Sequence, residues 1–245
     1  MLINAEAVVL RSHRLSRVLT SGSRDRVRPM SAPSLPQRSY DRVAPIYDLL
    51  ARVWTGGAIG EAGAEVARHV EAGQRVLFAG AGAGRDAAAL AGVGAALTLV
   101  DLSGRMLARA GRRVRDAGGT ATLLAADVRE LEPEGGFDVV CAHYFLNVFG
   151  PDEMPEVFAH LSGHVAIGGL LSVADFAPST GSPLQQLHYR LPLAVFRALG
   201  LCADHPIYDY AQSAPGGLAL ESTVDHRVFG QGPPWHRTWL FRRVS

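Results

Sequence analysis

Arg75-Val76-Leu77-Phe78-Ala79-Gly80-Ala81-Gly82-Ala83-Gly84-Arg85-Asp86 is the stretch that decides the fold. A short apolar run ends in alternating glycines, and an alanine-rich segment follows. This is the pattern of a buried strand, a tight turn and a helix N-terminus. Glycine reaches backbone angles that other residues avoid, and it lets a ligand approach the main chain closely. The helix behind the turn offers N–H groups and a partial positive charge. The turn therefore suits a nucleotide-like ligand.

Outward from this turn, strands and helices alternate. The first strand covers Gln74 to Ala79, and a helix covers Arg85 to Ala91. Strands are expected from Ala95 to Val100, ending at Asp101, from Thr120 to Ala125, from Phe137 to Ala142 and from Gly169 to Ala174. Helices are expected over Ser103 to Ala117 and Asp152 to Val165. Such alternation implies parallel βαβ units. Upstream, Val43, Ile46, Leu49, Leu50 and Val53 have helical spacing, and a second helix covers about Ile59 to Val70. Downstream, Gln185 to Leu199 reads as an inserted helix and Pro206 to Gln212 as a last one. Two β-like runs, Leu218 to Phe229 and Trp235 to Val244, are joined by the short link Gly230 to Pro234 and read as a hairpin.

The 245 residues fit one large α/β domain with a small appendage. Net charge is +1, which argues against an electrostatic nucleic-acid surface. Lysine is absent, which reads as coding bias rather than chemistry. Cys141 and Cys202 stand far apart and suggest neither a disulfide framework nor a metal site, which suits a reducing cytoplasm. No apolar run reaches the ~20 residues of a membrane-spanning helix. Residues 1–38 scatter arginines among serines and prolines with few acids. They read as a flexible basic extension, with a transit peptide or a natural start at Met30 as alternatives. Residues 39–245 would form the domain, with a lid insertion at about 180–205.

Ligands of parallel sheets bind at the carboxyl ends of the strands. Three successive strand ends carry suitable groups: the glycine turn, Asp101 and Asp127. Asp101 can accept hydrogen bonds from both hydroxyls of a ribose. Asp127 can accept from an adenine amino group, Val128 can offer a backbone N–H, and Leu102 and Met106 can sandwich the base. Each has a plainer reading: Asp101 as a helix cap, Asp127 as a solvated acid, the turn as a common strand connection. A nicotinamide dehydrogenase is another candidate, since Gly82-Ala83-Gly84-Arg85-Asp86-Ala87 fits G-x-G-x-x-A. Its usual Tyr-x-x-x-Lys pair needs a lysine, and there is none.

The stretch from about Tyr40 to Asp175 resembles the class I S-adenosylmethionine (SAM)-dependent methyltransferases, through VLFAGAGAG, LTLVDLSGRMLARA, LLAADVRELE and FDVVCAHYFLNVF. The opening YDRVAPIYD is similar to the start of the ubiquinone/menaquinone C-methyltransferase group. The resemblance implies a Rossmann-like α/β fold: a seven-stranded, mostly parallel sheet with an antiparallel last strand, helices on both faces and a small helical lid. It also implies that Gly80, Ala81 and Gly82 pass close to the methionine moiety of SAM. Asp101 would hold the ribose, Asp127 and Val128 the adenine, and Tyr47 would approach from the N-terminal helix. The family usually has an acid where this chain has Phe78.

The expected reaction is methyl transfer from SAM to an O or C atom of a hydrophobic phenolic or quinonoid small molecule. The alternative, motivated by Phe78, is a protein that binds SAM without transferring methyl. Acceptor and cofactor should meet after the fourth strand. His143 is the expected base, since its ordinary pKa lies near neutrality, and a packed structural histidine is the competing reading. Tyr144 faces the sulfonium or lines the pocket wall. Asn147 orients an acceptor or caps a turn. Asp175 is a second base candidate or a capping residue. His188, Tyr189 and His205 fall in the lid, whose Leu187, Leu191, Phe196 and Leu199 suit an apolar cover or a dimer contact. His160 and His164 have HxxxH spacing with no acid between them, so no metal is expected.

Overall fold

The computed structural model describes residues 58–132, 136–178, 181–198, 206–227 and 233–245. The 1–38 extension, Tyr40, Tyr47, the first expected helix, Cys202 and His205 lie outside the described residues. So does the side chain of His188.

The glycine-turn strand, β1 (Arg75–Ala79), sits inside a seven-stranded sheet. It pairs in parallel with β2 (Ala96–Asp101) on one side and β4 (Phe137–His143) on the other. Beyond β2 lies β3 (Ala121–Ala125), and beyond β4 lies β5 (Val165–Phe176). Beyond β5 come β7 (His236–Arg243) and then β6 (Leu218–His226) at the edge. β7 runs antiparallel to both neighbours. The expected hairpin forms, and the seven-stranded sheet with one reversed strand is the expected fold.

Burial on both faces explains why β1 reads as an unbroken apolar run. Alternate residues point to opposite sides. Val76 and Phe78 join Leu99, Cys141 and Leu240 under helices α1 (Ala58–Ala67), α2 (Arg85–Ala89) and α3 (Gly104–Asp116). Leu77 and Ala79 join Val140, Val173, Trp239 and Phe241 under α4 (Met154–His164). Two further helices complete the order: α5 (Pro183–Ala198) and the single turn α6 (Tyr210–Ser213).

Several boundaries depart from the sequence pattern, among them those of β5, α2 and α6. β5 begins at Val165, directly after α4, not at Gly169. Between Phe137 and Val139 the partner strand advances from Val165 to Leu170, so residues 166–169 bulge. A side chain on Gly169 would meet the Asp138 carbonyl at 2.8 Å, so glycine there marks close strand approach rather than a loop. The second departure is α2, which ends at Ala89, where the chain turns. The third is α6, which starts only at Tyr210, because Asp209 is extended and its carboxylate caps Ala211 N–H.

α5 is held to the sheet by a buried polar clip. The Gln185 amide donates to the Pro234 carbonyl and to Tyr189 Oη, both at 2.7 Å, and Tyr189 Oη–H donates to the Ala177 carbonyl at 2.6 Å. Leu187 and Leu191, one turn apart, face outward.

Candidate active site

Gly80, Gly82 and Gly84 all have left-handed backbone angles, with φ of 65°, 51° and 69°. Their surroundings differ. A side chain on Gly80 would run into the Phe145 ring. One on Gly84 would meet Ala110 of α3 at 2.6 Å. One on Gly82 would find only the Gly80 carbonyl, at 4.0 Å. Among the described residues the turn is thus clasped by packing on two sides and open at Gly82, a face a ligand can reach. Ala81 N–H donates to the Val100 carbonyl at 2.9 Å, and Arg113 of α3 donates to the Ala83 carbonyl.

Asp101 stands beside that open face. Its Oδ2 accepts Gly82 N–H at 2.8 Å and its Oδ1 accepts Ser103 N–H at 2.8 Å. The capping alternative goes to another residue, since Ser103 Oγ accepts Met106 N–H at the start of α3. Leu102 is exposed beside Asp101, whereas Met106 is buried against Ala83. The structure therefore brings Leu102, and not the Met106 side chain, to the surface of this strand end.

Asp127 caps a 3₁₀ turn, Val128–Glu130, and takes Arg129 as a side-chain partner: Arg129 Nε donates to both carboxylate oxygens at 2.9 and 3.0 Å. Burial opposes ionisation of this carboxyl, but the Arg129 bonds outweigh it and hold Asp127 below its usual range. The Arg129 guanidinium lies 5.6 Å from the Phe149 ring centroid. Val128 is buried, and its carbonyl accepts from His160 Nε2 at 2.9 Å. His164 Nε2 stands 3.1 Å from that same nitrogen. Burial, and secondly His160, push the His164 imidazole down to about 4. The HxxxH pair therefore holds the Asp127 turn against α4. Among the described residues no three metal-ligating side chains gather.

His143 closes β4 and points inward. Its Nδ1 lies 2.9 Å from Asp86 Oδ2 and its Nε2 lies 2.9 Å from Ser172 Oγ. All three side chains are buried. With both nitrogens engaged, His143 could act as a base only by giving up one of these bonds. The Phe78 ring meets the His143 ring edge-on, with centroids 6.4 Å apart. The buried acid behind the glycine turn is thus Asp86, on the helix that follows, while position 78 is core. Neither Asp86 nor Ser172 emerged from sequence reasoning. The signal for Ser172 was a lone polar residue inside Leu170-Leu171-Ser172-Val173-Ala174, since a buried hydroxyl needs a partner.

Asp175, at the end of β5, is also buried and engaged. Oδ1 accepts from Asn147 Nδ2 at 2.8 Å, and Oδ2 accepts the Tyr210 hydroxyl at 2.6 Å. Asn147 therefore orients Asp175. Between them Tyr144 leaves β4 with φ of 52°. Its ring contacts Phe176 and His236, and its hydroxyl is buried.

The chain is similar in sequence and fold to known proteins. Residues 76–169 match the family described as a methyltransferase domain. The chain is 29% identical over 211 residues to a demethylmenaquinone methyltransferase of Parafrankia sp. (strain EAN1pec), covering 76% of this chain and 82% of that one. Its fold is similar to that of magnesium protoporphyrin IX methyltransferase from Synechocystis PCC 6803, solved with bound SAH (TM-score 0.61, 21% identity, 84% of this chain and 94% of that one). It is also similar to the 1,6-didemethyltoxoflavin-N1-methyltransferase of Burkholderia thailandensis (TM-score 0.55, 19% identity, 89% and 93%). The domain match thus lies on the glycine turn, within a sheet whose fold is similar to that of known methyltransferases.

Proposed function

We propose that this protein transfers the methyl group of SAM to an oxygen or carbon atom of a hydrophobic, phenolic or quinonoid small molecule. The observation that carries the cofactor half is the turn itself: among the described residues nothing but the Gly80 carbonyl approaches the Cβ direction of Gly82, and the Asp101 carboxylate is bonded to that residue's N–H. The acceptor half is supported by the demethylmenaquinone methyltransferase relative and by the aromatic side chains that end β4 and β5.

In this reading Gly80, Ala81 and Gly82 carry the methionine end of the cofactor, and Asp101 accepts from the ribose hydroxyls. Asp127 and the Val128 N–H serve the adenine edge, with Leu102 against one face of the base and Met106 supporting the turn from beneath. Tyr47 approaches from the segment preceding the described residues, and residues 39–245 form the domain with its lid at about 180–205. Bound SAM supplies a methyl group already activated by a sulfonium. The protein's task is to bring the acceptor in line at about 3 Å and to exclude water. His143 and Asp175 meet that task as buried anchors. Through Asp86 and Ser172, His143 fixes the glycine turn against β5; through Asn147 and Tyr210, Asp175 fixes the acceptor end of the sheet.

The test is incubation with methyl-labelled SAM and a panel of phenols and quinols, scored for S-adenosylhomocysteine (SAH). Turnover of at least one such acceptor is expected. SAM binding with no turnover across the panel would reject it. Asp101→Ala should weaken SAM binding tenfold or more; unchanged affinity would remove the ribose role.

A further inference from the structure

The Tyr144 hydroxyl is buried and has no hydrogen-bond partner among the described residues. Such a group has given up its water without replacement, a state that native interiors avoid. The backbone beneath it is strained as well, because a bulky residue rarely adopts φ of 52°. Strain of this kind persists where the surroundings impose it, and it gathers at ligand sites. The chemistry around the hydroxyl is specific. The ring sits edge-on to Phe176 at 6.3 Å and against His236 at 5.5 Å, so its near walls are aromatic. Tyr144 immediately precedes Phe145, the residue whose ring covers Gly80. It therefore stands between the glycine turn and the ends of β5 and β7.

We infer that Tyr144 is a substrate-positioning residue whose hydroxyl donates a hydrogen bond to an oxygen on an aromatic acceptor. The inference rests on the methyl-transfer reading above and adds a specificity element to it. Burial, and then the negative fields of Asp175, Glu61 and Asp86, push the phenol well above its ordinary pKa. It stays protonated at neutral pH, so it has a proton to donate to the ligand and does not serve as the base. A ring bearing a carbonyl, phenol or phenolate oxygen satisfies the orphaned donor. The same ring without the oxygen leaves it unpaired, and sites built around a hydrogen bond reject such analogues strongly.

The test compares wild type with Tyr144→Phe, which removes one oxygen and keeps the ring. The probes are 1-naphthol, 1,4-naphthoquinone and naphthalene, titrated calorimetrically with and without saturating SAH, and SAH itself. Wild type should bind the two oxygenated rings about tenfold or more tighter than naphthalene. Tyr144→Phe should abolish that preference, keep the SAH affinity unchanged, and melt no lower than wild type, since it deletes an unpaired buried hydroxyl. A merely structural tyrosine would show a lower melting temperature with the preference intact. Wild type lacking the preference, binding none of the rings, or keeping the preference in Tyr144→Phe overturns the inference. Wild type that prefers the oxygenated rings yet fails to bind SAH would support the Tyr144 role while removing the cofactor reading.

Discussion

Gly80 and Gly82 share a backbone conformation and differ in what surrounds them. Alanine at either position pays the left-handed penalty of about 1–2 kcal/mol. Gly80→Ala also drives a methyl into the Phe145 ring, an overpacking cost of about 1–3 kcal/mol more. Chemical denaturation should therefore show Gly80→Ala as the less stable variant. Gly82→Ala, whose methyl meets nothing nearer than the Gly80 carbonyl at 4.0 Å among the described residues, should keep most of its stability but lose SAH affinity tenfold or more by calorimetry. Phe78 makes a complementary case. It is 1% exposed among Val76, Leu99 and Cys141, so Phe78→Asp buries a carboxylate in an apolar layer. The expected loss is about 3 kcal/mol or more, without a gain in SAM affinity. The sequence carried the turn, Asp101 and Asp127 because glycine spacing and strand-end acids are local signals. It did not carry Asp86–His143–Ser172, whose members are joined only when α2, β4 and β5 meet, nor the Arg129 partner that Asp127 takes.

At the level of elements, the strand-and-helix order was legible because parallel strands buried on both faces are continuous apolar runs. What failed was local. Gly168 and Gly169 resemble a loop, and only the neighbouring Asp138 carbonyl shows that they form a bulge within β5. The α4–Asp127 turn contact yields a pH prediction. His164 titrates near 4 when folded and at 6.5 as a free side chain, so the unfolded chain binds more protons between those values. The stability that neutral His164 contributes is complete above pH 6.5 and is lost as pH falls toward 4. Melting temperatures between pH 7 and 4.5 should therefore fall more steeply for wild type than for His164→Gln. Equal slopes would show that this pair does not set the acid sensitivity. Helix α5 gives a second case. Tyr189→Phe leaves the Ala177 carbonyl without its 2.6 Å donor and should cost about 1–3 kcal/mol, read as faster proteolytic cleavage around α5.

For the whole molecule, a ligand that binds only the folded state adds RT ln(1 + [L]/Kd), about 2.7 kcal/mol at a hundredfold excess over Kd. In a chain of this size that is a rise of about 5–10 °C in melting temperature. SAH at that excess should produce it and NADH should not; the reverse would return the glycine turn to the dehydrogenases. The strand order has a consequence of a different kind, for the protein while it is being made. β5 is completed on its outer side only by β7, His236–Arg243, some sixty residues later in the chain. Until those residues leave the ribosome, the nascent chain carries a long and largely apolar strand with one edge unpaired. Such an edge invites pairing with other chains. Ribosome stalling or premature termination before residue 236 should therefore deliver the fragment to chaperones or inclusion bodies, since only β7 covers the outer edge of β5.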